Sequence, residues 1–261
     1  MRVGILCPME DEVKLVAQRM GRAQDFKLAG MQAHQGVWRS HQCIVVKSGL
    51  GKVAAAAVAQ ALISSCEVDA IVVVGLAGAL VPSLQVGDVV IADRLIQHDL
   101  DARPLFDYTL IPDLRVKWVE TDMTLRRETV EAVQGLLQQR EEFFAEDIRR
   151  RFGMLRPSAY VGQVLTGDQF VSKPALIRLR ELFPEALCVE MEGAAVGQVC
   201  RMNEVPFVVV RIVSDRADDG AAIDFSRFLT EVASVYVSAI CDVIVRVVDV
   251  STAYSKKNAV R

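Results

Sequence analysis

The chain has 261 residues, 52% of them hydrophobic and 24% charged, with a formal net charge of -3. That length and balance fit an ordinary globular protein able to bury a sizeable core, and the mixed, slightly acidic charge speaks against a nucleic-acid-binding surface. The six cysteines (Cys7, Cys43, Cys66, Cys188, Cys200, Cys241) show neither a CxxC motif nor metal-ligand spacing, so they are expected as small buried hydrophobes in a reducing, cytoplasmic compartment.

In chain order, Val3 to Cys7 reads as a short strand, Pro8 to Glu12 as a turn, and Glu12 to Met20 as a helix with Val13, Val16 and Met20 at helical spacing. Gly36 to Trp38 and Cys43 to Lys47 form a strand pair, after which Ser48-Gly-Leu-Gly51 opens an alanine-rich helix from Lys52 to Ser64. Ala70 to Val74 is nearly pure apolar, as expected of a strand buried on both faces. It leads into Gly75-Leu-Ala-Gly78, a backbone able to approach a ligand closely. Gly87 to Ala92 is a further strand, followed by a polar and aromatic stretch from His98 to Phe106 that ends near Pro112.

Residues 120–151 carry a helical pattern dense in charge, including Glu141, Glu142, Glu146 and Asp147 before Arg149-Arg-Arg151, which reads as a solvated surface helix. Tyr160 to Leu165 returns to the sheet, Leu176 to Leu182 is a short helix, and Ala186 to Val189 is a strand that turns directly into a helix near Glu192. Phe207 to Val213 is the last buried strand, and a long helix runs from about Phe225 to Val247. The apolar run before the first acids is too short for a signal peptide. The C-terminal apolar stretch carries Asp242, Arg246 and Asp249, so it is expected as a packed terminal helix rather than a membrane span. Alternating strands and helices, with no linker or repeat, predict a single α/β domain over residues 1–261 with helices on both faces of the sheet.

Several strands end in residues able to do chemistry: Met9 and Glu12; Ala77 and Gly78; Asp168 and Phe170; Glu190, Met191 and Glu192; Arg211, Ser214 and Asp215. The carboxyl ends of strands are where open α/β sheets bind ligands. The three histidines (His34, His41, His98) fall early and away from these ends, so no Ser-His-Asp arrangement is expected, and no metal-ligand set or cofactor motif is present.

Met9-Glu-Asp-Glu12, Ser48-Gly-Leu-Gly-Lys52, Thr166-Gly-Asp-Gln-Phe170, Val189-Glu-Met-Glu192 and Arg211-Ile-Val-Ser-Asp215 occur in one order, and together resemble the motif set of the 5'-methylthioadenosine/S-adenosylhomocysteine nucleosidases, in the nucleoside phosphorylase superfamily. The resemblance runs from Met9 to Phe225 and leaves about 107–158 uncovered. It implies a mixed central sheet, hydrolysis of an N-glycosidic bond without a cofactor, a small-molecule nucleoside as substrate, and a homodimer serving methionine salvage. By position, Asp215 matches the general acid that protonates adenine at N7, with Ser214 supporting it. Glu12 matches the residue that activates water, and Arg211 helps to hold that water. Glu192 matches the ribose-hydroxyl ligand, with Glu190 and Met191 beside the sugar and Ala77 and Gly78 in the glycine-rich stretch next to it. Phe170 matches the ring that stacks on adenine, the Val171 backbone reads the base edge, and Met9 and Phe225 match the apolar 5'-alkylthio site. Phe106 and Pro112 resemble the segment that a neighbouring subunit adds to that pocket.

Leu76 departs from the family, which often has a serine there; the charged segment 120–151 is a second departure. Phosphorylases of the superfamily surround phosphate with basic residues, whereas the first loop here carries Glu10, Asp11 and Glu12. At about 4 Å even a screened like-charge contact costs about 1–4 kcal/mol, so water is the expected nucleophile. A hydrolase acting on another 5' substituent, such as futalosine hydrolase, or a broader purine nucleosidase, shares most of these residues. A non-catalytic nucleoside-binding scaffold has no need of a water activator at Glu12.

Overall fold

Two strands hold the centre of the molecule because their sequences tolerate burial on both faces. In the computed structural model, which describes residues 1–139, 144–154, 156–216 and 221–258 (221–224 and 249–258 by backbone only), they are β5 (Ala70–Ala79) and β10 (Phe207–Asp215), and every residue of β10 is buried. The other strands are β1 (Arg2–Cys7), β2 (Gly21–Leu28), β3 (Met31–Trp38), β4 (His41–Lys47), β6 (Val89–Gln97), β7 (Val119–Glu120), β8 (Ala159–Thr166) and β9 (Ala186–Glu190). Parallel and antiparallel pairs mix. Because β10 pairs with both β5 and β6, the series β10-β6-β8-β9-β5 closes on itself, while β1, β4, β3 and β2 extend outward from β5.

Alternation along the strands sends side chains to opposite faces. Val3, Ile5, Val72 and Val74 pack toward α1 (Glu10–Ala17), α3 (Met123–Gln138) and α8 (Ser234–Asn258). Leu6, Ile71 and Val73 pack toward α2 (Lys52–Cys66) and α6 (Gly193–Met202). In α2 the buried residues Ala55, Val58, Ala59 and Leu62 recur at helical spacing, and each fully buried Val or Leu contributes on the order of 1.5–3 kcal/mol. A third cluster seats α5 (Lys173–Leu182) through Leu176 and Leu179 against Leu80, Leu165 and Val189. The expected α/β class, mixed sheet and two-sided helical cover are observed.

The differences from the sequence reading have physical causes. The first helix begins two residues early, at Glu10. The strand expected over Ala70 to Val74 continues through Gly75 to Gly78 and ends at Ala79. The strand β2 went unread because it is an edge strand, charged and mostly exposed, paired only with β3; it has no buried face to impose alternation. The charged segment divides into α3 and the short α4 (Glu146–Arg151), whereas Glu141 and Glu142 lie outside the described residues. In α3 only Leu125, Thr129, Val133 and Leu137 are buried, and Asp122 caps its start by accepting from the Leu125 N–H at 2.8 Å.

The C-terminal helix is interrupted: α7 (Ala221–Phe228) passes through a π turn, Leu229–Ala233, into α8. The run Phe225–Val248 is long and apolar enough to cross a membrane, with mean hydropathy 1.8 over a window of which 67% is buried within the fold. Its Tyr236 reaches across the core to donate to the Gly87 carbonyl at 2.7 Å. Tyr236→Phe leaves that carbonyl unsatisfied and is expected to cost about 1–2 kcal/mol, a fall of a few degrees in Tm by thermal unfolding.

Candidate active site

The carboxyl-terminal ends of β1, β5, β8, β9 and β10 surround one open cleft. Met9 and Glu12 enter from the start of α1, Ala77 and Gly78 from β5, and Phe170 and Val171 from the turn after β8. Glu190, Met191 and Glu192 enter from the β9–α6 junction, Ser214 and Asp215 from the end of β10, and Phe225 from α7. A β-bulge between Val213 and Asp215 resets the pairing with β5, a device that re-aims side chains at a strand end. There the Ser214 hydroxyl donates to Asp215 Oδ2 at 2.8 Å. The rings of Phe170 and Phe225 meet edge to face with centroids 5.7 Å apart, and Phe170 is half exposed at the mouth.

Arg211 does not line the cleft. It lies beneath it, fully buried, donating through Nη2 to the Glu190 carboxylate and, at 3.4 Å, to Glu192 Oε2. Glu190 also accepts the Glu192 and Gly193 N–H groups at 3.0 and 2.7 Å and the Thr166 hydroxyl. Although Glu190 borders the cleft, its carboxylate thus holds the start of α6 and the arginine. Glu192 Oε1 accepts the Gly51 N–H at 3.0 Å. Glu12 folds back on its own helix start, Oε2 accepting the Met9 N–H at 2.9 Å. Glu12 Oε1 and the Arg211 Nε and Nη1 atoms are buried without a protein hydrogen-bond partner.

Three buried carboxylates around one guanidinium leave negative charge in excess. Burial pushes Glu12 up to about 8, against the Met9 N–H and Arg211, which favour its ionised form. Burial likewise pushes Glu192 up to about 7, offset by Arg211 and reinforced by Glu190. Burial works against the Arg211 charge, but Glu190, Glu192 and Glu12 together raise its pKa.

Phe106 and Pro112 do not reach the cleft of their own chain; Phe106 is 45% exposed. Of the three acids in the first loop only Glu12 borders the cleft, since Glu10 pairs with Lys47 and Asp11 with Lys14. A dianion there meets Glu12, Glu190, Glu192 and Asp215 instead. His98 is not remote from a strand end: it directly follows β6 and is buried against Gly167. Asp168 turns away from the cleft to accept the Lys52 N–H at 2.8 Å. Sequence reasoning assigned no role to Pro8, Leu50, Gln169 and Val189, which also line the cleft. Leu50 and Gln169 stand inside motifs that were legible, so their position in the motif was the available signal. Leu76 lines the cleft as an apolar wall.

A partly closed mixed sheet with a carboxylate-rich cleft at its strand ends defines an α/β protein with a small-molecule site. The family model described as Phosphorylase superfamily matches residues 2–249. Solved structures similar to the chain include the 5'-methylthioadenosine/S-adenosylhomocysteine nucleosidase of Neisseria meningitidis in complex with methylthio-immucillin-A, at 29% identity and TM-score 0.81 over 94% of this chain and 98% of that one. The MTA/SAH nucleosidase of Streptococcus pneumoniae in complex with 8-aminoadenine is 31% identical, TM-score 0.80, over 94% and 99%. The futalosine hydrolase of Helicobacter pylori is 28% identical, TM-score 0.79, over 94% and 98%. The chain belongs to the phosphorylase superfamily, and the members it is similar to here are nucleosidases.

The raised carboxylates make stability depend on pH in a definite direction. A group whose pKa rises from 4.5 to about 8 on folding keeps its proton in the folded chain after the unfolded chain has lost it. Its stabilising contribution is complete below about 4.5 and is lost as the pH rises to about 8. Glu12→Gln stays neutral throughout. It is expected to lose less stability than the wild type between pH 5 and 8, a relative gain of roughly 1–3 kcal/mol at the upper end. Thermal unfolding across that range checks this; a difference that does not grow with pH overturns it. A second expectation concerns Gly75, where a Cβ would collide with Arg211 Nη1 and Pro8. Gly75→Ala is expected to displace the arginine and destabilise the protein by about 1–3 kcal/mol, measurable by denaturant unfolding.

Proposed function

We propose that the protein hydrolyses the N-glycosidic bond of 5'-methylthioadenosine and S-adenosylhomocysteine, releasing adenine and the 5'-thio-substituted ribose. The observation that carries this reading is that Glu12 and Asp215, on different elements, border one cleft. That arrangement supplies a general base for water and a general acid for the leaving base. Glu12 in its ionised form, which its pKa of about 8 makes a minor fraction at neutral pH, takes a proton from water as its oxygen attacks the anomeric carbon. The bond to the purine N9 breaks through an oxocarbenium-like sugar, and Asp215 gives its proton to N7. Ser214 orients Asp215 through their hydrogen bond. The partnerless acceptor on Glu12 and donors on Arg211 suit a water held between them.

Glu192 accepts from the ribose hydroxyls, with Met191, Ala77 and Gly78 against the sugar. Phe170 stacks on adenine and the Val171 backbone reads its edge. Met9, Phe225 and Leu76 form the apolar wall that favours a thioether on the 5' side. Water rather than phosphate is the nucleophile, because buried Arg211 is already engaged by Glu190 and Glu192 and, among the described residues, the charged side chains that line the cleft are all acids. The ligand-bound relatives support an adenine-type base, and the similar futalosine hydrolase keeps a different 5' group as the second reading.

In the same reading the protein is a homodimer of the cytoplasm that serves methionine salvage. Exposed Leu50, Val53, Leu105 and Phe106 suit burial against a second copy, which brings Phe106 and Pro112 to the neighbouring pocket. The six cysteines are unbridged and all but Cys66 are buried, which suits a reducing compartment.

The test is adenine release from 5'-methylthioadenosine with and without phosphate, with S-adenosylhomocysteine, futalosine and inosine as comparators. Equal release in both buffers is expected; a phosphate requirement overturns hydrolysis, preference for futalosine moves the assignment to the second reading, and no release from any nucleoside points to a binding scaffold. Glu12→Gln and Asp215→Asn are each expected to lower turnover by about 100-fold or more while retaining adenine binding.

A further inference from the structure

Lys52, Asp99 and Asp168 do not line the cleft, yet they join three of the strand ends around it. The Lys52 ammonium lies 2.5 Å from Asp99 Oδ1, just after β6, and 3.8 Å from Asp168 Oδ2, just after β8. Asp99 Oδ2 accepts the Asp168 N–H at 2.8 Å, and Asp168 Oδ1 accepts the Lys52 N–H at 2.8 Å. The ring of contacts is therefore closed through both backbone and side chain. The Lys52 side chain is 17% exposed, against 28% for Asp99 and 48% for Asp168, so solvent screens the ring in part. Gly51, with φ of 88°, turns the chain so tightly into α2 that a Cβ there would lie 2.9 Å from Asp168 Oδ1. Its N–H is the one that holds Glu192. Two residues beyond Asp168 stands Phe170.

We propose that Lys52 is a positioning residue, which by bridging Asp99 and Asp168 sets both the Gly51 N–H on Glu192 and the turn that presents Phe170. This rests on the nucleosidase reading for what Glu192 and Phe170 do, but not for the clamp itself. Removing the ammonium leaves the Lys52 N–H on Asp168 Oδ1 as the remaining bond between the α2 start and the β8 turn, so one change loosens the sugar side and the base side together. Glu192 is faced by Arg211 from β10, Glu190 from β9, Glu12 from α1 and the Gly51 N–H from the start of α2. Arg211, the Gly51 N–H and the Met191 N–H favour its ionised form. Withdrawing the Gly51 N–H moves Glu192 ionisation to higher pH.

The experiment compares Lys52→Met, Lys52→Arg and Asp99→Asn with the wild type by amide hydrogen exchange, thermal unfolding and the pH profile of kcat/KM for 5'-methylthioadenosine. In Lys52→Met, exchange is expected to accelerate in 48–52 and 166–171 with the rest of the chain unchanged. Its kcat/KM is expected to fall about 10- to 100-fold, its acid limb to move to higher pH, and Lys52→Arg to restore much of both. Wild-type exchange in the two segments overturns the proposal, as does uniform acceleration with a lowered Tm, which marks general stabilisation. If the wild type hydrolyses but Lys52→Met keeps its kcat/KM and its limb, the positioning role also fails. If the wild type releases no adenine, the reaction reading fails separately, and the exchange pattern alone decides the clamp.

Discussion

A guanidinium sealed inside an apolar strand is the constraint around which the structure is arranged. Arg211 interrupts the run Phe207-Val-Val-Val-Arg-Ile-Val213 and is fully buried. An isolated buried charge is prohibitively costly, so it must be paired and hydrogen-bonded. Glu190 and Glu192 supply the pair, which forces the end of β9 and the start of α6 to meet β10 at this point. Gly75 on the neighbouring strand leaves the space the guanidinium occupies. Thr166 ties the arrangement to β8, its hydroxyl donating to Glu190 and accepting the Ala194 N–H at 2.8 Å. Four strand ends are thereby brought to one place by the demands of a single cation.

The same pairing determines the chemistry available above it. Burial raises the pKa values of Glu12 and Glu192, and the single guanidinium beneath them offsets that rise only in part. Buried acids whose protonation is poised near neutrality are what acid–base chemistry at physiological pH requires. Asp215 stands at the bulge that ends β10 and accepts the Ser214 hydroxyl. The cleft therefore offers two carboxylates in different surroundings, one over the guanidinium and one beside a hydroxyl.

Closure of the sheet explains how loops far apart in sequence converge. The ends of β6, β8 and β9 lie together because these strands are parallel, and the β9 end meets that of β5 through Val189 and Gly78, while β10 closes the series by pairing with both β5 and β6. The turns His98–Asp99 and Gly167–Phe170 therefore lie side by side, and Ser48–Gly51, which follows β4 in the open wing, is joined to them by a few short polar contacts. The open wing of β1, β4, β3 and β2 adds the α1 start with Met9 and Glu12 on one side.

The amino-acid sequence by itself determined the α/β class, most of the elements, and most residues of the cleft. Buried strands such as Ala70 to Val74 announce themselves as continuous apolar runs, and reactive residues just past them are conspicuous. Edge strand β2 was illegible because an exposed strand obeys no hydrophobic pattern, and the π turn within the C-terminal helix leaves the apolar run unbroken. Which acids face the cleft was decided only in three dimensions. Glu10, Asp11 and Asp168 look like Glu12 and Glu192 in the sequence, but Lys47, Lys14 and the Lys52 corner draw the first three away. The Asp11–Lys14 pair is local to α1, but the partners of Glu10 and Asp168 depend on strand order and sheet closure, which are long-range contacts that no local pattern of residues encodes.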